Sequence, residues 1–141
     1  MKYSGSCLCK GIQFEIEGKL EPIQICHCEQ CRKAQGSAFA ANIPVKEAHF
    51  HLICGAELLT SFESSKGKHR HFCRHCGSPI CSRTDQLPGV IRIRSGTLDN
   101  DIDTQPVAHF YVDSKANWFQ INDNLPIFKQ AFTPDPQDNQ D

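Results

Sequence analysis

Short runs of alternating hydrophobic and polar residues dominate the chain. In "GIQFEIEG", Ile12, Phe14 and Ile16 alternate with polar residues, which is the pattern of a half-buried strand. "GVIRIRSG" alternates isoleucine with arginine in the same way. "LLTSFES" and "HRHFC" are two strand-like runs joined by "SKGK", and Gly67 in that link predicts a hairpin turn.

The remaining elements are also short. "HFYVDS" and "NWFQIND" predict two more strands, "CEQCRKAQGSAF" predicts the one helical segment, and "NLPIFKQAF" predicts a final turn or short helix. Many short strands separated by Gly, Pro, Ser and Asn favour a mainly β, sandwich-like fold. We assign residues 1–132 to this β-rich domain and residues 133–141, "TPDPQDNQD", to a disordered acidic tail.

Length and charge narrow the function classes. A chain of 141 residues fits one domain with a modest core. The net charge of −1 gives no reason to expect nucleic acid or an anionic membrane as the main partner. Because no secretion signal and no run of 18 apolar residues is present, we expect a cytoplasmic protein without a membrane span.

The nine cysteines are the main compositional feature. In a reducing compartment, clustered thiols are metal ligands or redox groups more often than disulfides. Cys7 and Cys9 form a C-x-C pair, and Cys73 and Cys76 form a C-x-x-C pair followed by glycine. Structural zinc is tetrahedral and fully protein-ligated, so these four residues predict a structural zinc site. The alternative is four buried thiols without a metal.

Cys26, Cys28 and Cys31 lie within the six residues "CHCEQC". Three protein ligands with an open fourth position are typical of catalytic zinc, so these residues predict a second, catalytic and more labile zinc site. A metal-free redox trio is an alternative. The three residues are called the cysteine trio below.

The trio also has an alternative in which a fourth protein ligand closes it as a structural site. Cys54, Cys81 and His27 are the candidates. His27 is disfavoured because successive side chains of an extended segment point in opposite directions. Without such a role, Cys54 and Cys81 are expected to be core residues.

Two histidine pairs suggest further metal ligands. His49 and His51, and likewise His69 and His71, are expected on one face of a strand. Polar strand faces explain such pairs more simply than metal binding does.

Several segments together resemble a known protein family. These segments are, in order, "GSCLCKGIQFEI", "CHCEQCRKAQGSAF", "FESSKGKHRHFCRHCGSPI", "SGTLD" and "HFYVDSKANWFQINDNLPIF". The family they resemble is that of the glutathione-dependent formaldehyde-activating enzymes, grouped with centromere protein V. The resemblance implies curved antiparallel sheets, the β-tent shared with methionine sulfoxide reductase B. It also implies a structural zinc at the four paired cysteines and a second zinc at the trio. The chain departs from the family pattern at Cys54, Cys81 and Asn117, where the family often has other residues.

The resemblance and the trio together suggest a carbon–sulfur lyase. It would interconvert S-hydroxymethylglutathione with glutathione and formaldehyde, and the trio's zinc would hold the substrate thiolate. Arg32, Lys33 and Arg70 are candidates to bind the carboxylates of glutathione, with solvated surface charges as the alternative. Other possible functions are a non-catalytic binding module with two structural zinc sites, and a thiol redox enzyme.

Overall fold

The computed structural model describes residues 1–131. The helix α1 spans Glu29–Gln35. The strands are β1 (Lys2–Ser6), β2 (Gln13–Glu17), β3 (Ile23–Cys26), β4 (Ala40–Lys46), β5 (Phe50–Cys54), β6 (Leu59–Ser65), β7 (Lys68–Cys73), β8 (Pro79–Thr84), β9 (Val90–Arg94) and β10 (Pro106–Phe110). The predicted tail over residues 133–141 and the end of the predicted domain at residue 132 lie outside the described residues.

The strands form two open sheets, so the prediction of a mainly β fold is confirmed. The three-stranded sheet has the order β1-β2-β5, and the seven-stranded sheet has the order β10-β3-β4-β9-β8-β7-β6. The paired strands are antiparallel, as expected, except that β10 runs parallel to β3. This pairing places Phe110 beside Cys26, so the segment after β10 begins next to the trio.

The hydrophobic core lies between the two sheets. Phe14 and Ile16 of β2 are buried as their alternation predicted, and the Phe14 ring lies 5.2 Å from the ring of Phe50 on β5. Ile43 of β4 and Ile93 of β9 supply the opposite side of the core. Each such side chain stabilises the fold by about 1.5–3 kcal/mol through burial.

The seven-stranded sheet has two different faces. Its core face carries the row formed by Ile43, Ile93 and Cys81, which are paired across β4, β9 and β8. Cys26 and Arg92 lie at alternate positions, on the opposite face. That opposite face is called the polar face below.

Local signals explain the hairpin and the helix. Gly67 adopts φ +79°, a left-handed turn conformation that favours glycine, as the predicted β6–β7 hairpin requires. Cys28 is the N-cap of α1, and its Sγ accepts a hydrogen bond from the Cys31 N–H. The helix ends at Gly36, whose N–H donates to the Arg32 carbonyl. None of the described helices is long and apolar enough to cross a bilayer.

The predictions after β9 are partly wrong. The strand predicted at "HFYVDS" ends at Phe110, because Tyr111 adopts φ +57° and a 3₁₀ turn follows at Val112–Ser114. No strand forms at "NWFQIND", and no helix forms in the described part of "NLPIFKQAF". In that last segment Ile127 instead forms an isolated parallel bridge with His109.

Candidate metal centres and their surroundings

The first candidate centre consists of the four paired cysteines. The Sγ atoms of Cys7, Cys9, Cys73 and Cys76 all lie within 4.8 Å of one another. The Cys7 and Cys9 sulfurs are 3.4 Å apart, and the Cys9 and Cys73 sulfurs are 3.8 Å apart. Zinc–sulfur bonds of about 2.3 Å in a tetrahedron place the sulfurs about 3.8 Å apart, so this donor set fits zinc.

This centre joins the two sheets. Cys7 and Cys9 lie in the loop between β1 and β2, whereas Cys73 ends β7 and Cys76 lies in the turn toward β8. The backbone N–H of Ile12 donates to Cys7 Sγ at 3.3 Å, and that of Cys76 donates to Cys73 Sγ at 3.4 Å. These bonds hold the sulfurs toward one point and favour their thiolate form.

The four thiols influence one another's ionisation. Hydrogen bonding with the side chain and backbone of Ser78 lowers the pKa of Cys76 to about 5. The Gly11 backbone lowers the pKa of Cys9, but the Cys7 thiol and partial desolvation raise it, and the net value is about 12. Like charges this close do not all ionise unless a cation compensates them, and a divalent metal ion supplies that charge.

The second candidate centre is the cysteine trio. The Sγ atoms of Cys26, Cys28 and Cys31 lie within 4.8 Å of one another, so this donor set also fits a thiophilic metal such as zinc. The Cys31 N–H donates to Cys28 Sγ at 3.3 Å, which repeats the geometry of the other C-x-x-C turn. Within residues 1–131, no fourth His, Cys, Asp or Glu joins this group.

The three residues considered as a fourth ligand lie elsewhere. Cys54 is exposed on β5 of the three-stranded sheet, with its Sγ 3.6 Å from the Gly11 carbonyl oxygen, so the expectation of a core residue is wrong. Cys81 is buried on the core face, as expected. The Nε2 atom of His27 lies 2.8 Å from Nδ1 of His109, inside the protein.

His27 belongs to a hydrogen-bonded chain with two buried imidazoles, which the sequence analysis missed. His109 contacts His27 on one side, and its Nε2 lies 3.0 Å from Oδ2 of Asp123 on the other. The rings of Phe39 and Phe119 pack against His27, and burial lowers its pKa, with the charge of His109 adding to the effect. This packing turns His27 inward, which is how its two cysteine neighbours come to face the opposite way.

The other histidines have simpler partners. His51 Nε2 lies 2.8 Å from a Glu17 carboxylate oxygen, and His69 Nε2 lies 3.1 Å from a carboxylate oxygen of Asp85. His49 lies in a 3₁₀ turn instead of on the expected strand. Neither histidine pair joins a metal-fitting group among the described residues.

Arg70 lies against the trio. Its side chain is buried, and both Nη1 and Nη2 are 3.8 Å from Cys31 Sγ. Its Nε donates to Ser64 Oγ at 2.9 Å, which fixes the plane of the guanidinium. The Cys26 and Cys28 thiols lower the pKa of Cys31, and the Arg70 charge lowers it further. Arg70 therefore stabilises negative charge on a trio sulfur.

The other two residues predicted to hold glutathione carboxylates lie on α1. Lys33 is exposed and forms an ion pair with Glu29 at 3.5 Å. Arg32 is half-buried beside the trio. The exposed ion pair of Lys33 is the pattern of a solvated surface. A role of Lys33 or Arg32 in substrate binding stays a prediction.

The polar face carries four cations, three of which the sequence analysis missed. Lys68, Arg70, Arg92 and Arg94 lie at alternate positions of β7 and β9. Arg94 is 5% exposed, and its guanidinium donates to the Asn42 side chain. No carboxylate of the described residues forms an ion pair with any of the four cations. From sequence, the arginines of "GVIRIRSG" predict only the polar side of a half-buried strand.

The charge of Lys68 is a cost to the fold. Burial, with the nearby charges of Arg92, Arg70 and Arg94, lowers its pKa from 10.5 to about 8. A lysine whose folded-state pKa is depressed destabilises the fold fully below that value, and the cost disappears as pH rises toward 10.5. We expect Lys68→Met to raise the free energy of unfolding at pH 7 by about 1 kcal/mol, roughly 3 °C in melting temperature.

Thermal unfolding at several pH values checks this expectation. The gain should shrink above pH 8, where the folded wild-type protein loses the charge. Lys66→Met, at an exposed lysine of the adjacent hairpin turn, is the matched control and should leave the melting temperature nearly unchanged. A loss of stability in Lys68→Met would contradict the expectation.

A cavity of about 340 Å³ lies beside these centres. Its lining includes Gln35, Phe39, Ser78, Arg94 and Thr97. No cysteine of either centre contributes to the lining. The candidate site is the polar face around the trio, because Cys31 and Arg70 meet there.

These features define a cysteine-rich β protein with one four-thiol and one three-thiol candidate metal centre. The family described as "Glutathione-dependent formaldehyde-activating enzyme" matches residues 2–114, and the chain belongs to this family. The family is linked to glutathione-dependent activation of formaldehyde.

A solved structure supports the fold. A structural-genomics crystal structure of a Rhodobacter sphaeroides protein is 20% identical, with a TM-score of 0.61. The match covers 74% of this chain and 99% of that one. No match among curated proteins was found.

Proposed function

We propose that the protein is a carbon–sulfur lyase that reversibly joins a glutathione-type thiol to formaldehyde. The observation that carries the proposal is the convergence of Cys26, Cys28 and Cys31 without a fourth ligand among the described residues. Three thiol ligands leave a position that a sulfur from outside can take. Family membership supports glutathione and formaldehyde as the reactants.

The reaction needs no oxidant or reductant. In the forward direction the thiol sulfur bonds to the carbonyl carbon, and the carbonyl π electrons move to oxygen. The thiol proton is transferred to that oxygen, giving a hydroxymethyl thioether. In reverse, the carbon–sulfur bond breaks and the hydroxyl proton returns to sulfur. Catalysis therefore depends on keeping the thiol ionised and close to the aldehyde.

The chain's own residues support these tasks. The trio residues Cys26, Cys28 and Cys31 would hold the zinc ion, which when bound supplies a positive charge that favours a thiolate at neutral pH. Arg70 stabilises negative charge at Cys31 through its guanidinium, 3.8 Å from the sulfur. A substrate thiolate that approaches the trio therefore meets cationic side chains, which favour its negative charge.

Titration calorimetry of the zinc-loaded protein with glutathione tests the proposal. We expect binding in the micromolar to millimolar range, and weaker binding of S-methylglutathione, which has the same charges but no free thiol. Exchange NMR should show faster interconversion of formaldehyde and its glutathione adduct with protein than without it. Absence of glutathione binding at millimolar concentration would refute the proposal and leave a zinc-stabilised β domain without this activity.

A further inference from the structure

We propose that Lys68 and Arg92 form a carboxylate-binding subsite on the polar face, which selects thiol substrates that carry a carboxylate. This inference rests on the proposed function and specifies which thiols the site accepts. It adds Lys68 and Arg92 to the residues that the sequence suggested for carboxylate binding.

Strand register places the two residues on the same face of the sheet. Arg70 of β7 pairs with Ser82 of β8, and Ser82 pairs with Arg92 of β9, so their side chains lie in one row on the polar face. Neighbouring strands are about 4.8 Å apart, which places Arg70 and Arg92 about 10 Å from each other across the sheet. Lys68 is two residues before Arg70 on the same face.

The subsite lies next to the trio. Arg70 contacts Cys31 Sγ, although β3 and β7 are four steps apart in the sheet. Four steps span about 19 Å, so the chain after Cys26 must fold back over the polar face. An anion held between Lys68 and Arg92 is therefore within the reach of a tripeptide from the trio.

The four cations of the polar face differ in their partners. Arg70 is engaged by Ser64 and Cys31, and Arg94 is engaged by Asn42. Among the described residues, no side-chain hydrogen bond or ion pair involves the side chain of Lys68 or of Arg92. These two cations are therefore available to a ligand, whereas the other two are held by the protein.

Two buried polar atoms on the polar face also lack partners. Ser82 is 0% exposed, and its Oγ makes no hydrogen bond with a described residue. Arg94 is 5% exposed, and its Nε also makes none. Buried polar groups are rarely left unpaired, and an unpaired group costs about 1–3 kcal/mol. Four like charges with two unpaired polar atoms form an arrangement that an anion would stabilise.

The chemistry of the cations identifies the anion. A guanidinium binds a planar carboxylate through two parallel N–H···O bonds, and an ammonium adds a third donor. A thiol bearing carboxylates therefore fits both the subsite and the trio. Phosphate and sulfate share the charge but have no thiol, so they reach only one half of the site.

Binding of three thiols to three zinc-loaded variants tests the inference. The ligands are glutathione, its monoethyl ester with the glycine carboxylate blocked, and neutral 2-mercaptoethanol. The variants are Arg92→Gln, Lys68→Met and the control Lys66→Met. We expect Arg92→Gln and Lys68→Met to weaken glutathione binding about tenfold or more, and to leave 2-mercaptoethanol binding unchanged. Lys66→Met should bind all three like the wild type.

The outcomes separate this inference from the proposed function. Loss of the preference for glutathione over its ester in Arg92→Gln supports the subsite. A gain in stability of Lys68→Met together with weaker glutathione binding also supports it. Replacing a residue with only a structural role would instead lower both the stability and the binding. Unchanged glutathione affinity in both variants overturns the subsite and leaves the lyase proposal intact. Failure of every thiol to bind the wild type overturns both. Inorganic phosphate displacing glutathione at equal concentration overturns the preference for carboxylates.

Discussion

Replacing Cys9 by serine is expected to remove one zinc ion per chain and to lower the melting temperature by about 10 °C or more. Cys9 is exposed, so loss of packing cannot account for such a change. Its sulfur lies 3.4 Å from that of Cys7 and 3.8 Å from that of Cys73, and the four-thiol centre joins the two sheets. Metal analysis and thermal unfolding of the purified variant measure the two effects.

Cys54→Ser is the matched control for this prediction. Cys54 is also an exposed cysteine, but it lies outside both candidate centres. The same chemical change at this position should keep the full zinc content and a melting temperature close to that of the wild type. If Cys9→Ser kept its zinc and had the same melting temperature as the control, the four cysteines would be neighbouring thiols without a metal.

The cysteine clusters were predictable from sequence because their geometry is local. A C-x-x-C turn brings two sulfurs together through its own backbone, as the N–H···S bonds at Cys28 and Cys73 illustrate. Within each C-x-C or C-x-x-C pair the cysteines are only two or three residues apart, so spacing restricts where their sulfurs can point. Only the contact of Cys7 and Cys9 with the later pair required a long-range assumption. That assumption came from the need of structural zinc for four protein ligands.

The end of the chain was less predictable because tertiary contacts decide its structure. The alternation in "NWFQIND" indicated a strand, but Lys115 donates to the carbonyl groups of Ala116 and Phe119 and holds this part as a turn. The Phe119 ring then packs on His27. Contacts made by Lys115 and His27, which lie outside the segment, thus favour the turn. Period-two alternation within the segment carries no information about these contacts.

The grouping of four cations on the polar face was missed for a different reason. Alternating isoleucine and arginine in β9 predicts a strand with one buried and one solvent-facing side. In the structure Arg94 is only 5% exposed and its guanidinium is held by the Asn42 side chain, although it lies on the polar face. On the same face Cys31, which follows the strand of Cys26 in the chain, contacts Arg70. Sequence periodicity distinguishes apolar from polar faces, but it does not tell a solvated face from one that encloses a site.

The Cys28→Ser variant is expected to lose the trio's zinc ion and to lower the rate of adduct formation by about 100-fold or more, with little change in stability. Cys28 is the N-cap of α1, and serine is itself a favourable N-cap residue, so the helix should be retained. The zinc content should fall from two ions to one. The melting temperature should stay within a few degrees of the wild-type value, because the other centre joins the sheets.

Gln30→Ser is the control, since this exposed residue lies in the same turn between two trio cysteines. It should keep two zinc ions, glutathione binding and activity. The pair of variants separates the two roles that a three-thiol zinc site can have. If Cys28→Ser melts far below the control, the trio is a structural centre; if it keeps its stability and its activity together, the trio takes no part in the reaction. Only loss of metal and activity in a stable protein agrees with a trio that completes its coordination with the substrate's sulfur.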